Sequence, residues 1–109
     1  DLVLAANLID RLYDPKRFLA SIHKRINPHG LLAIASPYTW LEEYTAKENW
    51  VGGVRRDGEP FSTLEGLEEQ LGGYFRKLGE PRDVPFVLRE TARKFQHSIA
   101  QLTIWERLS

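Results

Sequence analysis

Two short apolar runs, Leu2–Asn7 (LVLAAN) and Leu31–Ala35 (LLAIA), frame what this chain can become, because one amphipathic segment separates them. An unbroken apolar run of this length, with no polar alternation, suits a strand buried on both faces of a parallel sheet. Between the runs, Asp14-Pro15 makes an N-cap and first-turn pair. Phe18, Leu19, Ile22 and Ile26 then fall on one helical face, with Lys16, Arg17, Lys24 and Arg25 on the other. Asn27-Pro28-His29-Gly30 closes the helix. Strand, helix and strand within about 35 residues predict a right-handed βαβ unit.

The remainder reads less regularly. Ser36 to Ser62 carries Tyr38, Trp40, Tyr44, Trp50 and Gly52-Gly53 with no long period. Thr39 and Glu42 fit a capping box, which predicts a short helix near Trp40–Ala46. A second box, Ser62 and Glu65, opens a helix whose Leu64, Leu67 and Leu71 form an apolar stripe ending at Gly72-Gly73. Tyr74–Leu78 and Val84–Leu88 are strand-like but broken by Gly79, Pro81 and Pro85, so they belong at a sheet edge or a bulge. Ile99–Trp105 alternates as a last strand, joined to the previous one by a polar loop from Arg89 to Ser98 as an antiparallel pair. The expected class is α/β: two parallel strands, an antiparallel C-terminal pair and flanking helices.

Composition limits the function. At 109 residues the chain makes at most one small domain. Fifteen basic residues balance fifteen acidic ones, so there is no basic field for nucleic acid and no cationic face for a membrane. A small molecule is the expected substrate. No apolar run approaches the ~20 residues of a membrane span, and the absence of cysteine excludes a disulfide framework. Asp1 runs straight into the first apolar stretch, which reads as the interior of a longer protein.

Particular residues then carry a resemblance. Asp1-Leu2-Val3-Leu4-Ala5-Ala6-Asn7-Leu8-Ile9-Asp10-Arg11-Leu12 is similar to the fourth-strand motif of class I S-adenosylmethionine-dependent methyltransferases. Phe18-Leu19 and Ile26-Asn27-Pro28-His29-Gly30-Leu31-Leu32-Ala33-Ile34 resemble the stretch that leads into that family's fifth strand. More narrowly, Ser36–Glu43, Lys47–Gly53 and Arg89–Ser98 resemble the 4-mercaptohistidine N-methyltransferase domain found at the C-terminus of ovothiol-biosynthesis enzymes. The resemblance implies the second half of a Rossmann-like methyltransferase sheet, in the order four-five-seven-six. It also implies a cytoplasmic parent enzyme that transfers a methyl group from S-adenosylmethionine to an imidazole nitrogen. The family's glycine-rich cofactor loop is absent, since no G-x-G occurs in the sequence. The chain is therefore expected not to bind the cofactor alone, and its exposed first-strand edge, free of lysine and proline, is expected to make a homodimer.

Methyl transfer to an imidazole needs positioning more than a strong base, so no catalytic triad is expected and no metal is implied. Asn7 is the leading catalytic candidate, and Ala6, Asn7 and Leu8 are the expected cofactor-facing residues; otherwise Asn7 is a strand-end Asn satisfying turn amides. Asp10 either orients or deprotonates the ring nitrogen, or serves as a cap or surface partner of Arg11. Tyr38, Trp40 and Trp50 either wall the substrate pocket or fill core. Arg89, Arg93 and His97, with Glu90, either bind the substrate's carboxylate or decorate a polar loop. Glu43 and Glu48 read as solvated helix charges, and His23 and His29 as surface residues.

Overall fold

A computed structural model describes residues 2–89 and 91–109; Asp1, which opens the fourth-strand motif, and Glu90 lie outside the described residues. The first βαβ unit forms as expected. Strand β1 (Leu2–Ala6) runs parallel to β2 (Leu31–Ser36), with Leu2 opposite Leu31 and Ala6 opposite Ala35. Between them, α1 (Pro15–Ser21) starts where the Asp14 side chain accepts from the Arg17 amide, and it tightens into a 3-10 turn over Ile22–Arg25.

The second half departs from expectation in its boundaries. Strand β5 (Phe75–Arg89) is one strand rather than two, bulged between Leu78 and Arg82, where Gly79 takes a φ of 67°. Strand β6 (Phe95–Arg107) pairs antiparallel with both β5 and β2. The order is β1-β2-β6-β5, so the proline-bearing β5 is an edge strand, where a missing amide donor is tolerated. This is also the expected order, with the first strand at the other edge.

The capping box at Ser62 and Glu65 is realised from both sides at the start of α2 (Thr63–Leu71), and the helix ends against Gly72. The expected helix over Trp40–Ala46 does not form. A single turn closes on the Leu41 carbonyl, and a 3-10 turn follows at Lys47–Asn49. The helix loses to tertiary bonds: Thr45 is fully buried with its hydroxyl on the Leu12 carbonyl, and its own carbonyl accepts from the Trp50 indole at 2.9 Å. A small hairpin, β3 (Val54–Arg56) with β4 (Glu59–Phe61), is absent from the sequence expectations. Its signature is nevertheless present: Asp57-Gly58, at φ 54° and 82°, suits the two left-handed positions of a type I′ turn.

Both helices pack on one face of the sheet. Leu19, Ile22, Leu67 and Leu71 meet Ala5, Leu32, Ile34, Phe75 and Trp105 in one core. The expectation that β1 is buried on both faces is therefore corrected. Val3 and Ala5 point to the helices, while Leu2 and Leu4 are 63% and 64% exposed on the other face. His23 is also corrected: it is buried and stacked on Tyr74, ring centroids 3.6 Å apart. No helix is long and apolar enough to cross a membrane among the described residues.

Candidate functional site

The C-terminal ends of β1 and β2 lie side by side, and each chain leaves its strand through a left-handed residue. The Asn7 amide still donates to the Ala35 carbonyl, at 2.6 Å, before its φ of 54° turns the chain out of the sheet. Two residues past β2, Tyr38 has a φ of 57°. Asn enters this region readily, whereas a bulky Tyr there is a true outlier. Such outliers collect at functional sites, because only a surrounding structure that over-determines them keeps them in place.

Immediately after Asn7, a 3-10 turn over Ile9–Arg11 buries Asp10 to 1% exposure. Its Oδ2 accepts from the Thr39 amide at 2.9 Å, while Oδ1 finds no hydrogen-bond partner among the described residues. Arg11 ties the same two loops together, its Nη1 donating to the carbonyls of Asp10 (2.9 Å) and Thr39 (2.8 Å). The Tyr38 hydroxyl donates to Gln101 Oε1 of β6 at 2.8 Å. Burial, and then the negative charge of Asp10, push the Tyr38 phenol up to about 12, so at neutral pH it stays a neutral donor.

Asn7, Asp10 and Arg11 line a hollow of about 280 Å³ with Pro37 and Phe86. Larger hollows lie on the hairpin by Val87 and His97 (about 550 Å³), beside Val3 and Phe18 (about 390 Å³) and at the β5 bulge by Leu78 and Arg82 (about 300 Å³). None of them is lined by a buried charged side chain. The small hollow has the chemistry: a buried carboxylate, a guanidinium and an amide against apolar walls.

The expected residues divide accordingly. Asn7, Asp10 and the Tyr38 segment come together; Asp10 is buried rather than on the surface, and it does pair with Arg11, Oδ2 to Nη1 at 3.6 Å. Ala6 and Leu8 are exposed at the same end. Trp40 does not join them; it is buried in the core with its indole on Thr63 Oγ1 at 3.0 Å. Trp50 stacks on Trp40 and lines a separate groove with Lys47 and Arg56. The expected polar loop from Arg89 to Ser98 is largely strand, with Arg89 opposite Phe95 and His97 opposite Val87 within the ladder. Ser36 pairs with Gln101, so Phe95 lies six positions further out on β6. At ~3.4 Å per residue, the hairpin tip with Arg89 and Arg93 stands about 20 Å beyond the parallel strands.

Sequence reasoning did not single out Arg11, Phe86 and Gln101 as site residues. Arg11 had a usable signal, since it follows Asp10 directly after a strand end. Phe86 and Gln101 reach the site only through sheet register, which leaves no linear mark.

No family profile matches the chain, and no curated protein matches it. A search of solved structures finds similarity to one described as "Conversion of a Disulfide Bond into a Thioacetal Group during Echinomycin Biosynthesis", with a TM-score of 0.61 and 14% sequence identity. The match covers 99% of this chain and 49% of that one, so the chain spans about half the length of its structural neighbour. At this identity the likeness is one of fold: a mixed α/β arrangement.

Proposed function

We propose that this chain is the acceptor-facing half of a Rossmann-like, S-adenosylmethionine-dependent N-methyltransferase domain, and that the parent enzyme is cytoplasmic. Its acceptor is an imidazole nitrogen of 4-mercaptohistidine. The observation that carries the reading is the convergence of Asn7, Asp10 and Tyr38 at the C-terminal ends of two parallel strands, the ligand end of open α/β sheets. The resemblance of Ser36–Glu43 and Arg89–Ser98 supplies the acceptor.

S-adenosylmethionine, when bound, supplies an electrophilic methyl group. The fit of this chain to that group is partial: Ala6, Asn7 and Leu8 offer an accessible strand end, but the sequence contains no glycine-rich loop. The chain's own residues act on the acceptor. Asp10, held by the Thr39 amide, accepts the ring N–H at its free Oδ1 and so turns the other ring nitrogen outward. It also holds the proton that an alkylated ring releases. Asn7 fixes the rim, and Pro37 and Phe86 exclude water from the hollow.

The test is a methyl-transfer assay on the parent protein with thiolated histidine and plain histidine. Methylation of the thiolated compound, lost in Asp10→Asn, supports the reading. Turnover of an unrelated acceptor instead overturns the acceptor assignment. A parent that binds no S-adenosylmethionine favours a noncatalytic association module, for which the exposed β1 edge is the supporting feature.

A further inference from the structure

Arg11 uses only part of its hydrogen-bonding capacity in holding the two loops together. Both bonds come from Nη1, and no hydrogen bond among the described residues uses Nη2 or Nε. The guanidinium is nevertheless fixed, with its carbon 5.0 Å from the centre of the Tyr44 ring. Its side chain remains 40% exposed and lines the hollow. A planar cation, already immobilised and with an open donor edge, is the arrangement that binds a carboxylate through two parallel hydrogen bonds.

Asp10 is its complement. The carboxylate is buried, and its Oδ1 has no partner among the described residues, a condition that favours an N–H donor from a ligand. Asp10 Oδ2 lies 3.6 Å from Arg11 Nη1, so the two charges sit against each other and the pair is formally neutral. A ligand that carries a carboxylate and, at the other end, a neutral N–H donor satisfies both groups without breaking their pairing.

We infer that Arg11 is the carboxylate anchor of the hollow: a small imidazole-bearing amino acid places its carboxylate on the free edge of Arg11 and its ring N–H on Asp10 Oδ1. This rests on the reading of the hollow as the acceptor site, and it replaces Arg89 and Arg93 as carboxylate anchors. Arg89 lies three positions beyond Phe86, about 10 Å along the strand and on its opposite face by alternation, and Arg93 lies in the loop beyond it. The hollow is about 280 Å³, near the lower end of small-molecule pockets, and its contents do not reach that far. Arg89 is also engaged locally, its Nε donating to the Thr91 carbonyl at 3.2 Å.

The experiment is an NMR titration of the isotopically labelled 109-residue chain with two probes: histidine and histamine (no carboxylate). Histidine should perturb the Asn7 and Arg11 amides saturably and bind at least about tenfold more tightly than histamine, as expected for charge-assisted hydrogen bonds. Arg11→Gln should weaken histidine by about tenfold or more and histamine by much less, so that the preference for histidine is lost. Arg11→Lys, which keeps the charge but not the fork, should fall between the two and guards against a merely unfolded variant. Equal binding of histidine and histamine by the native chain overturns the inference but leaves the acceptor site standing. Loss of histidine binding in Arg89→Gln but not in Arg11→Gln returns the carboxylate to the hairpin and also overturns it. If no probe perturbs these amides, the inference and the acceptor site fall together.

Discussion

At a φ of 57°, Tyr38 holds a large side chain where a Cβ crowds the following carbonyl, at roughly 1–2 kcal/mol for an L-residue. Three bonds keep it there: its amide on Ser36 Oγ (3.0 Å), its carbonyl accepting from the Trp40 amide (3.0 Å), and its hydroxyl on Gln101. The raised phenol has a consequence for pH. In the unfolded chain the group ionises near 10.0, in the folded one near 12, so the folded state keeps its proton longer. The stability due to Tyr38 is therefore fully present below pH 10 and is lost as the pH rises through about 12. Denaturation of the native chain and of Tyr38→Phe across that window should show the native chain losing stability the more steeply. Parallel curves would remove the phenol from the account. At this scale the sequence was readable where chemistry follows a strand end, as in Asn7 and Asp10. It was opaque where a partner is distant: His23 looks like one more polar residue of a basic helix end until Tyr74 is laid flat against it.

Helix α2 and the segment before it show how a small residue fixes the approach of two elements. A Cβ on Gly66 would lie 1.8 Å from the Val51 carbonyl oxygen, a backbone atom that cannot swing away. Gly66→Ala should lower stability by roughly 3 kcal/mol or more in urea denaturation, through overpacking. Gly73→Ala, with nothing within 4 Å of the added atom, serves as the near-neutral comparison. The capping box that opens α2 was legible because its two bonds are local. The matching pattern at Thr39 and Glu42 was equally visible but did not form a helix, because Asp10 takes the Thr39 amide, Arg11 takes the Thr39 carbonyl and the Trp50 indole takes the Thr45 carbonyl. Strand β1 yields the remaining prediction at this scale. Its outer edge is unpaired, and Leu2–Ala6 carries no charge or proline to discourage another strand. The 109-residue chain should self-associate in sedimentation at micromolar concentration, and Leu4→Lys at the exposed centre of that strand should shift it to monomer. A native chain that sediments as a monomer defeats this expectation.

The molecule measures 49 × 35 × 24 Å, and its radius of gyration of 14.6 Å exceeds the ~13 Å typical of a compact domain this size. The excess agrees with the β5–β6 hairpin running past the parallel strands. Sheet order was legible from the βαβ unit and the prolines, whereas the length of the hairpin was not, since polar residues such as Arg89 and His97 hide a ladder that continues through them. The position of β6 next to β2 has a further consequence. Leu32 and Ile34, fully buried when folded, complete their layer only when Trp105 and Thr103 arrive opposite them, about seventy residues later in the chain. At a synthesis rate of roughly 5–20 residues per second, the inner strand waits several seconds on the ribosome with one edge unpaired. During that interval the hazard is not set by the stability of the finished fold. It is set by how quickly chaperones shield a greasy nascent strand whose proper neighbour has yet to be translated.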